Sequence, residues 1–330
     1  MIRWGILGTA KIAREQLVPA IQTAENGTLQ AVASRSQDSA DQFAKRFGIP
    51  TAFDSYEAML ASDEVDAIYI PLPTSQHVEW TLKCLEAGKH VLCEKPISLH
   101  AKEIDALIEA RDRTGLVATE AFMVTYHPQW LKVRDLLASG AIGTLRHIQG
   151  VFTYYNVDPN NMRNKVELGG GGLPDIGVYP TVTARFATGK NPIRARASII
   201  RDPDFGTDIY ANCQYDFGSF DMTFYCATQL SLRQRMVFHG DKGAIEVAAP
   251  FNAQNYDAVD VCLYNQGRNE MQKWAFRGVE QYRLEIETIG RKISGDNVDI
   301  FTLESSRANQ AAIDALYAAD ISDGWVKVEA

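Results

Sequence analysis

The chain has 330 residues, 46% of them hydrophobic and 22% charged, which is globular in character and longer than one ordinary core, so two domains are expected. Its 33 basic and 41 acidic residues give a net charge of -8, a balance that argues against a nucleic-acid partner. No run approaches the ~20 apolar residues of a membrane span, and the apolar opening is cut short by Lys11 and Arg14, unlike a signal peptide.

The first third alternates short apolar runs with amphipathic stretches, the pattern of a doubly wound parallel sheet. Strands are predicted over residues 3–7, 29–34, 67–70, 90–93 and 117–120. Helices are predicted over 39–47 and 77–87, the latter closed by Gly88. From about residue 145 the texture changes to longer β-rich segments at 145–155, 193–200, 209–217, 220–228 and 233–239, implying a mostly antiparallel sheet. A last helix, about 301–319, carries an apolar stripe and is expected to pack on a core, possible partners including the first domain. The fold class is therefore α/β: an N-terminal Rossmann sheet over residues 1–122, then an α+β domain with a large open-faced sheet over 123–330.

The first strand runs into Gly8-Thr9-Ala10-Lys11-Ile12-Ala13, a variant of the glycine-rich dinucleotide loop. Small residues there let backbone N–H groups and a helix N-terminus approach a pyrophosphate, although Ala10 replaces the middle glycine. The end of the second strand reads Ser34-Arg35, where an acidic residue would bind the ribose hydroxyls of NAD. A hydroxyl and a guanidinium instead suit a 2′-phosphate, so NADP is the expected cofactor; the plain alternative is a solvated surface arginine.

At the end of another strand, Glu94-Lys95-Pro96 presents a lysine at the carboxyl edge of the sheet, where such folds bind ligands. Desolvation beside a nicotinamide would bring that amine toward the range useful for proton transfer. Further on, a glycine run, Gly169 to Gly172, leads to Pro174-Asp175-Ile176-Gly177-Val178-Tyr179. Pro174 fits a helix start, and Asp175 and Tyr179, at i and i+4, share one helix face. They are either a reactive pair or a buried hydrogen-bonded one. Gly177 between them suggests a close approach to the backbone.

These motifs, with Pro71-Leu72-Pro73-Thr74, His77 and Glu120-Ala121-Phe122-Met123, resemble the glucose–fructose oxidoreductase/inositol dehydrogenase family, Gfo/Idh/MocA, over essentially the whole chain. Many members have histidine at Tyr179; the tyrosine form is similar to the branch of D-xylose 1-dehydrogenases and dimeric dihydrodiol dehydrogenases. The resemblance implies that Leu72, Pro73, Thr74, His77, Glu94, Lys95 and Arg163 join the glycine loop in holding the cofactor. Many relatives have Trp where Met162 stands. It also implies that Lys95 and Tyr179 handle the proton while Asp175 binds or orients substrate hydroxyls. Tyrosine, with an ordinary pKa of ~10, needs a neighbouring cation to act as a base, which Lys95 would supply.

The implied reaction is hydride transfer between NADP and a sugar or polyol, an aldose such as D-xylose giving a lactone. Alternatives are a trans-dihydrodiol dehydrogenase, a keto-sugar reductase, and a dinucleotide-binding sensor that does no chemistry. His127, in an aromatic stretch, is a candidate substrate contact. Neither the six histidines nor Cys84, Cys93, Cys213, Cys226 and Cys262 show metal-ligand spacing, so no metal is expected; the odd, scattered cysteines fit a reducing, cytoplasmic setting. Ile209, Phe217, Phe220, Met222 and Phe224 exceed what one buried sheet face needs, which with the resemblance suggests a homodimer or higher oligomer. Replacing Arg35 with alanine should reduce the preference for NADP over NAD by ~10-fold or more, as expected for losing a charge-assisted hydrogen bond. Unchanged preference in binding titrations would remove the 2′-phosphate assignment.

Overall fold

The computed structural model describes residues 1–329, which divide into two compact units. The first comprises Met1–Met123 and Glu280–Arg307; the second comprises Val124–Val279 and, of the described residues, 308–329. The sequence reading leaves residues 280–300 in the second domain, whereas they belong to the first unit. There the helix Gln281–Ile293 takes a hydrogen bond from Asn26 Nδ2 to the Glu287 carbonyl at 2.7 Å. Gly290 leaves the space that Asn26 fills: a Cβ there would lie 2.8 Å from Nδ2. Nothing in local periodicity marks such a return of the chain, because the contact is made across some 260 residues.

The first unit is built on six parallel strands: β1 (Ile2–Leu7), β2 (Gly27–Ala33), β3 (Thr51–Phe53), β4 (Ala67–Ile70), β5 (His90–Cys93) and β6 (Ala118–Glu120). Their order is β3-β2-β1-β4-β5-β6, the arrangement of a dinucleotide-binding sheet whose ligand crevice opens where the order reverses, beside β1 and β4. Residues of β4 are all buried, as expected for a strand covered on both faces. One face packs Leu7, Ile68, Ile70, Val91 and Cys93 against Trp80, Leu85, Ile104 and Leu107 of the covering helices. The helix Gln37–Phe47 is capped by Ser36, whose Oγ accepts from Ser39 N at 3.4 Å, and ends at Gly48 with φ +66. The sequence reading did not include β3 or the helix Glu103–Thr114.

The second unit contains a nine-stranded sheet. Its strands are β7 (Leu145–Tyr155), β8 (Arg194–Arg201), β9 (Asp208–Asp216), β10 (Asp221–Ala227), β11 (Gln229–Gly240), β12 (Gly243–Val247), β13 (Val259–Asn265), β14 (Glu270–Phe276) and β15 (Val326–Lys327). The order is β14-β13-β12-β11-β7-β10-β9-β8-β15, antiparallel except for the β7–β10 pair. One face is covered by the helix Val178–Thr188, which settles onto β7 at Gly150. A Cβ at Gly150 would lie 3.2 Å from Pro180 Cβ and 2.8 Å from Met236 Sδ, so only glycine lets helix and strand approach this closely.

The opposite, open face differs from the sequence reading. Met222 and Phe224 point into the core, Phe217 and Phe220 are buried, and Ile209 is half-buried. The open face instead carries Gln149, Asn212, Thr223, Tyr225, Arg233, Arg235 and His239 around a shallow depression of about 790 Å³. Alternation explains this: the large apolar residues of β10 fall on its even positions and all turn inward. Among the described residues no helix is long and apolar enough to cross a membrane.

Candidate active site

In the first unit β1 ends at Gly8, whose amide donates to Ala33 O at 2.7 Å. Gly8 has φ +91, and a Cβ on it would come within 3.4 Å of both Leu72 Cδ2 and the Tyr56 hydroxyl. The backbone angle thus favours glycine, and the missing side chain keeps the backbone open to a ligand. Thr9, Ala10 and Ile12 are half-buried along the entry to a helix, where Ala10 O accepts from Arg14 N at 3.1 Å. A π-helical turn, Ala13–Leu17, follows. It receives Pro19, whose missing N–H and bulky ring would clash with a regular turn at Glu15.

At the end of β2, Ser34 N donates to Phe53 O at 3.1 Å, and Ser34 Oγ accepts from Ser36 N at 3.4 Å. The turn therefore delivers exposed Arg35 directly before the N-terminus of the helix Gln37–Phe47, where unpaired amides and the helix dipole favour an anion. Tyr56 is a residue that the sequence reading missed. Its hydroxyl lies beside Gly8, and burial raises its pKa, with the Arg35 charge opposing part of that rise. The available signal was Ser55 capping a short helix at Tyr56, but without β3 it had no strand to follow.

Lys95 sits on a loop held from three sides. Tyr69 donates to Glu94 Oε1 at 2.6 Å, and Glu94 Oε2 accepts from the Lys95 amide at 3.2 Å. Ile97 N donates to Glu120 Oε1 at 3.0 Å, and the Lys95–Pro96 bond is cis. His77 is fully buried, with one ring nitrogen 2.7 Å from Pro96 O and the other 2.7 Å from Leu72 O. It thereby ties the Lys95 loop to the Leu72-Pro73-Thr74 loop. Expected to contact the cofactor, it has both nitrogens within hydrogen-bond distance of protein carbonyls, and a neutral ring donates to one of them. Burial lowers its pKa, while the two carbonyls and the Lys95 charge act in opposite directions on what remains.

In the second unit Asp175 lies in a π-helical turn, Leu173–Gly177, that runs into the helix Val178–Thr188. The turn again precedes a proline: Pro180 would clash with the carbonyl of Ile176, which the wider turn displaces. Asp175 Oδ2 accepts from Tyr154 Oη at 2.7 Å and from Arg163 Nε at 2.8 Å. The Asp175 charge raises the Arg163 pKa, and burial, reinforced by that charge, raises the Tyr154 pKa. Arg163, expected at the cofactor, is thus an ion-pair partner of Asp175. Tyr154 was missed because it belongs to a strand pattern that reads as ordinary sheet.

Tyr179 is buried, its ring 5.6 Å from those of Phe152 and Phe251, which stack at 4.8 Å. Phe152 and Tyr154 are two apart on β7 and so share its inner face. Asp175 and Tyr179 therefore meet the same strand face, despite the π turn between them. The close approach anticipated at Gly177 is made by Leu173 and Cys226, whose Sγ lies 3.2 Å from a would-be Cβ. His127 caps the helix Pro128–Ala138, accepting from Gln129 N at 3.1 Å, and its ring makes a T-shaped contact with Phe276.

Two family models match the chain: residues 2–122 match the oxidoreductase family with an NAD-binding Rossmann fold, and residues 130–246 match the GFO/IDH/MocA C-terminal domain. The chain belongs to the Gfo/Idh/MocA oxidoreductase family. It is 39% identical to an uncharacterized oxidoreductase, ORF334, of Rhizobium meliloti, with 99% of each chain covered. It is 32% identical to a D-xylose 1-dehydrogenase (NADP(+)) of Haloferax volcanii, covering 95% of this chain and 96% of that one. A 3-ketoreductase from Actinomadura kijaniata, crystallised with NADP and TDP-benzene, superposes with a TM-score of 0.90 at 28% identity. The match covers 96% of this chain and 97% of that one.

Burial pushes the His127 pKa down to about 4. Against an ordinary unfolded value near ~6.5, the unfolded chain binds a proton that the folded one refuses, so stability falls as pH drops from ~6.5 toward ~4. The loss is on the order of 3 kcal/mol at the lower end. His127→Asn, which retains a capping acceptor, should flatten that part of the urea-unfolding profile; an unaltered slope would assign the acid sensitivity elsewhere.

Proposed function

We propose that the protein is an NADP-dependent dehydrogenase acting on a CH–OH group of a sugar or polyol, with oxidation of an aldose such as D-xylose to its lactone as the leading reaction. The observation that carries this reading is the pairing of Asp175 with Tyr154 and Arg163 on the β7 face that also holds Tyr179. A fixed carboxyl group and a phenol on one face suit a neutral ligand bearing several hydroxyls. The D-xylose dehydrogenase relative supports the substrate class, and the NADP-bound ketoreductase supports the cofactor.

Gly8, Thr9, Ala10 and Ile12 would hold the pyrophosphate, and Ser34 and Arg35 the 2′-phosphate. Leu72, Pro73, Thr74 and Glu94 would flank the nicotinamide end. The open backbone at Gly8 and the cationic turn at Arg35 fit these groups. NADP, when bound, supplies the hydride acceptor. The proton from the substrate hydroxyl goes to Lys95 or Tyr179, and Asp175 orients or binds that hydroxyl. A positioned acid–base group of this kind contributes ~10²–10⁴-fold in rate. Arg163 and Tyr154 keep Asp175 in one orientation.

The likeness to the 3-ketoreductase favours a second reading, reduction of a keto sugar by the same residues with the proton moving the other way. The buried, unbridged cysteines support a reducing cytoplasm as the setting. We also propose that a second copy covers the open sheet face, beside which Tyr155, Leu230 and Leu232 are exposed.

Nicotinamide absorbance with NADP or NAD and a panel of aldoses, inositols, keto sugars and trans-dihydrodiols tests the reaction. One substrate class should turn over, and Lys95→Met should lower kcat by ~10²–10⁴-fold while leaving NADPH binding in place. NADPH binding without turnover of any substrate would overturn the enzymatic reading in favour of a sensor. In light scattering the protein should show at least twice its chain mass of 36.6 kDa; a particle of one chain mass would refute the oligomer.

A further inference from the structure

The glycine run before Asp175 looks in the sequence like a cradle for a ligand. The space beside Gly170, Gly171 and Gly172 is in fact filled by the protein. A Cβ at Gly170 would lie 2.5 Å from the Arg163 carbonyl oxygen. At Gly171, where φ is +139, it would lie 2.1 Å from Asp208 Oδ1; at Gly172 it would lie 3.2 Å from both the Asp208 carbonyl oxygen and Oδ2. Asp208 opens β9 and is 4% exposed. Its Oδ2 accepts from the Leu173 amide at 2.6 Å and its Oδ1 from the Tyr317 hydroxyl at 2.7 Å.

Leu173 begins the π turn that carries Asp175 and leads to Tyr179. The first amides of a helix have no partner within it, and Gly172, the residue in the capping position, has no side chain to serve them. The cap comes instead from a carboxyl group on a distant strand. Burial raises the Asp208 pKa; the hydrogen bonds from Tyr317 and Leu173 and the Arg201 charge oppose that shift. A group buried at such cost, and admitted only by consecutive glycines, holds the helix start in one place.

We propose that Asp208 is a positioning residue for the reaction, fixing the start of the helix, and so the placement of Asp175 and Tyr179, through its bond to Leu173. This rests on the roles of Asp175 and Tyr179 proposed above. Tyr317 orients the Asp208 carboxyl group, and the glycine run admits it. Asp208 itself touches neither substrate nor cofactor. Misplacing reacting groups by about 1 Å costs on the order of 10²-fold in rate.

Asp208→Ala, Asp208→Asn and Tyr317→Phe, made in the full-length protein, test this by three readouts. In Asp208→Ala, hydrogen exchange across residues 173–179 should quicken by about 10-fold or more, as for loss of a helix cap. Its kcat should fall by about 10- to 100-fold, with NADPH affinity within about twofold of the parent. Asp208→Asn keeps an acceptor for Leu173 and should recover most of the loss, and Tyr317→Phe should fall between the two. The proposal is overturned if exchange and kcat are unchanged in Asp208→Ala. It is overturned equally if exchange quickens while kcat does not fall, or if the alanine and asparagine variants lose NADPH binding and thermal stability together with activity. Tyr179→Phe and Asp175→Asn are the separate controls: full activity in those variants would refute the underlying site assignment, whereas the exchange result would still report on the Asp208 cap.

Discussion

The inner face of β7 is the surface on which the second unit's candidate site depends. Three successive inward positions do three different jobs. Gly150 has no side chain, which lets the helix containing Pro180 come down onto the strand. Phe152 packs against the ring of Tyr179, and Tyr154 donates its hydroxyl to Asp175. The two-residue period of the strand thus converts one linear run into a floor, a wall and a hydrogen-bond donor. Aromatic pairs of the kind formed by Phe152, Tyr179 and Phe251 contribute roughly 0.5–1.5 kcal/mol each beyond the area they bury. That is enough to hold one ring orientation without help from a ligand.

Both helices that follow a glycine-rich stretch begin with a π turn, and each turn precedes a proline. At Pro19 and Pro180 alike, the carbonyl four residues back belongs to the widened turn. An interior proline in a regular helix costs ~3 kcal/mol or more, because a hydrogen bond is lost and the ring meets a carbonyl. Widening the turn moves that carbonyl away. In the second unit the same device lies between Asp175 and Tyr179, so a response to backbone sterics also sets the spacing of two functional side chains.

Buried charge is treated differently at each carboxyl group. Asp175 is matched by a cation and a hydroxyl, Asp208 by an amide and a hydroxyl, and Glu94 by a tyrosine and its neighbour's amide. Glu285, on the helix Gln281–Ile293, is fully buried, and neither of its carboxyl oxygens has a hydrogen-bond partner among the described residues. Burial, and secondarily the nearby Glu94 charge, raises its pKa well above the usual range. That shift favours the neutral acid, since an unpaired carboxylate in that position would cost several kcal/mol.

Much of this was legible in the chain. The strand-to-loop transition at Gly8, the lysine at the end of β5, and the Asp175–Tyr179 spacing all depend on residues close in sequence, where local sterics and hydrogen bonding leave few choices. The two sheets and most of their strands follow from apolar runs and alternation, which are likewise local. Tertiary structure decided what each side chain meets. Arg163 turned to Asp175, His77 set both ring nitrogens beside carbonyls, the glycine run admitted Asp208, and the helix Gln281–Ile293 joined the first unit. These outcomes rest on contacts between residues from 5 to more than 260 positions apart. A sequence shows which groups are available, but packing and the need to pair every buried polar group determine which of them are joined.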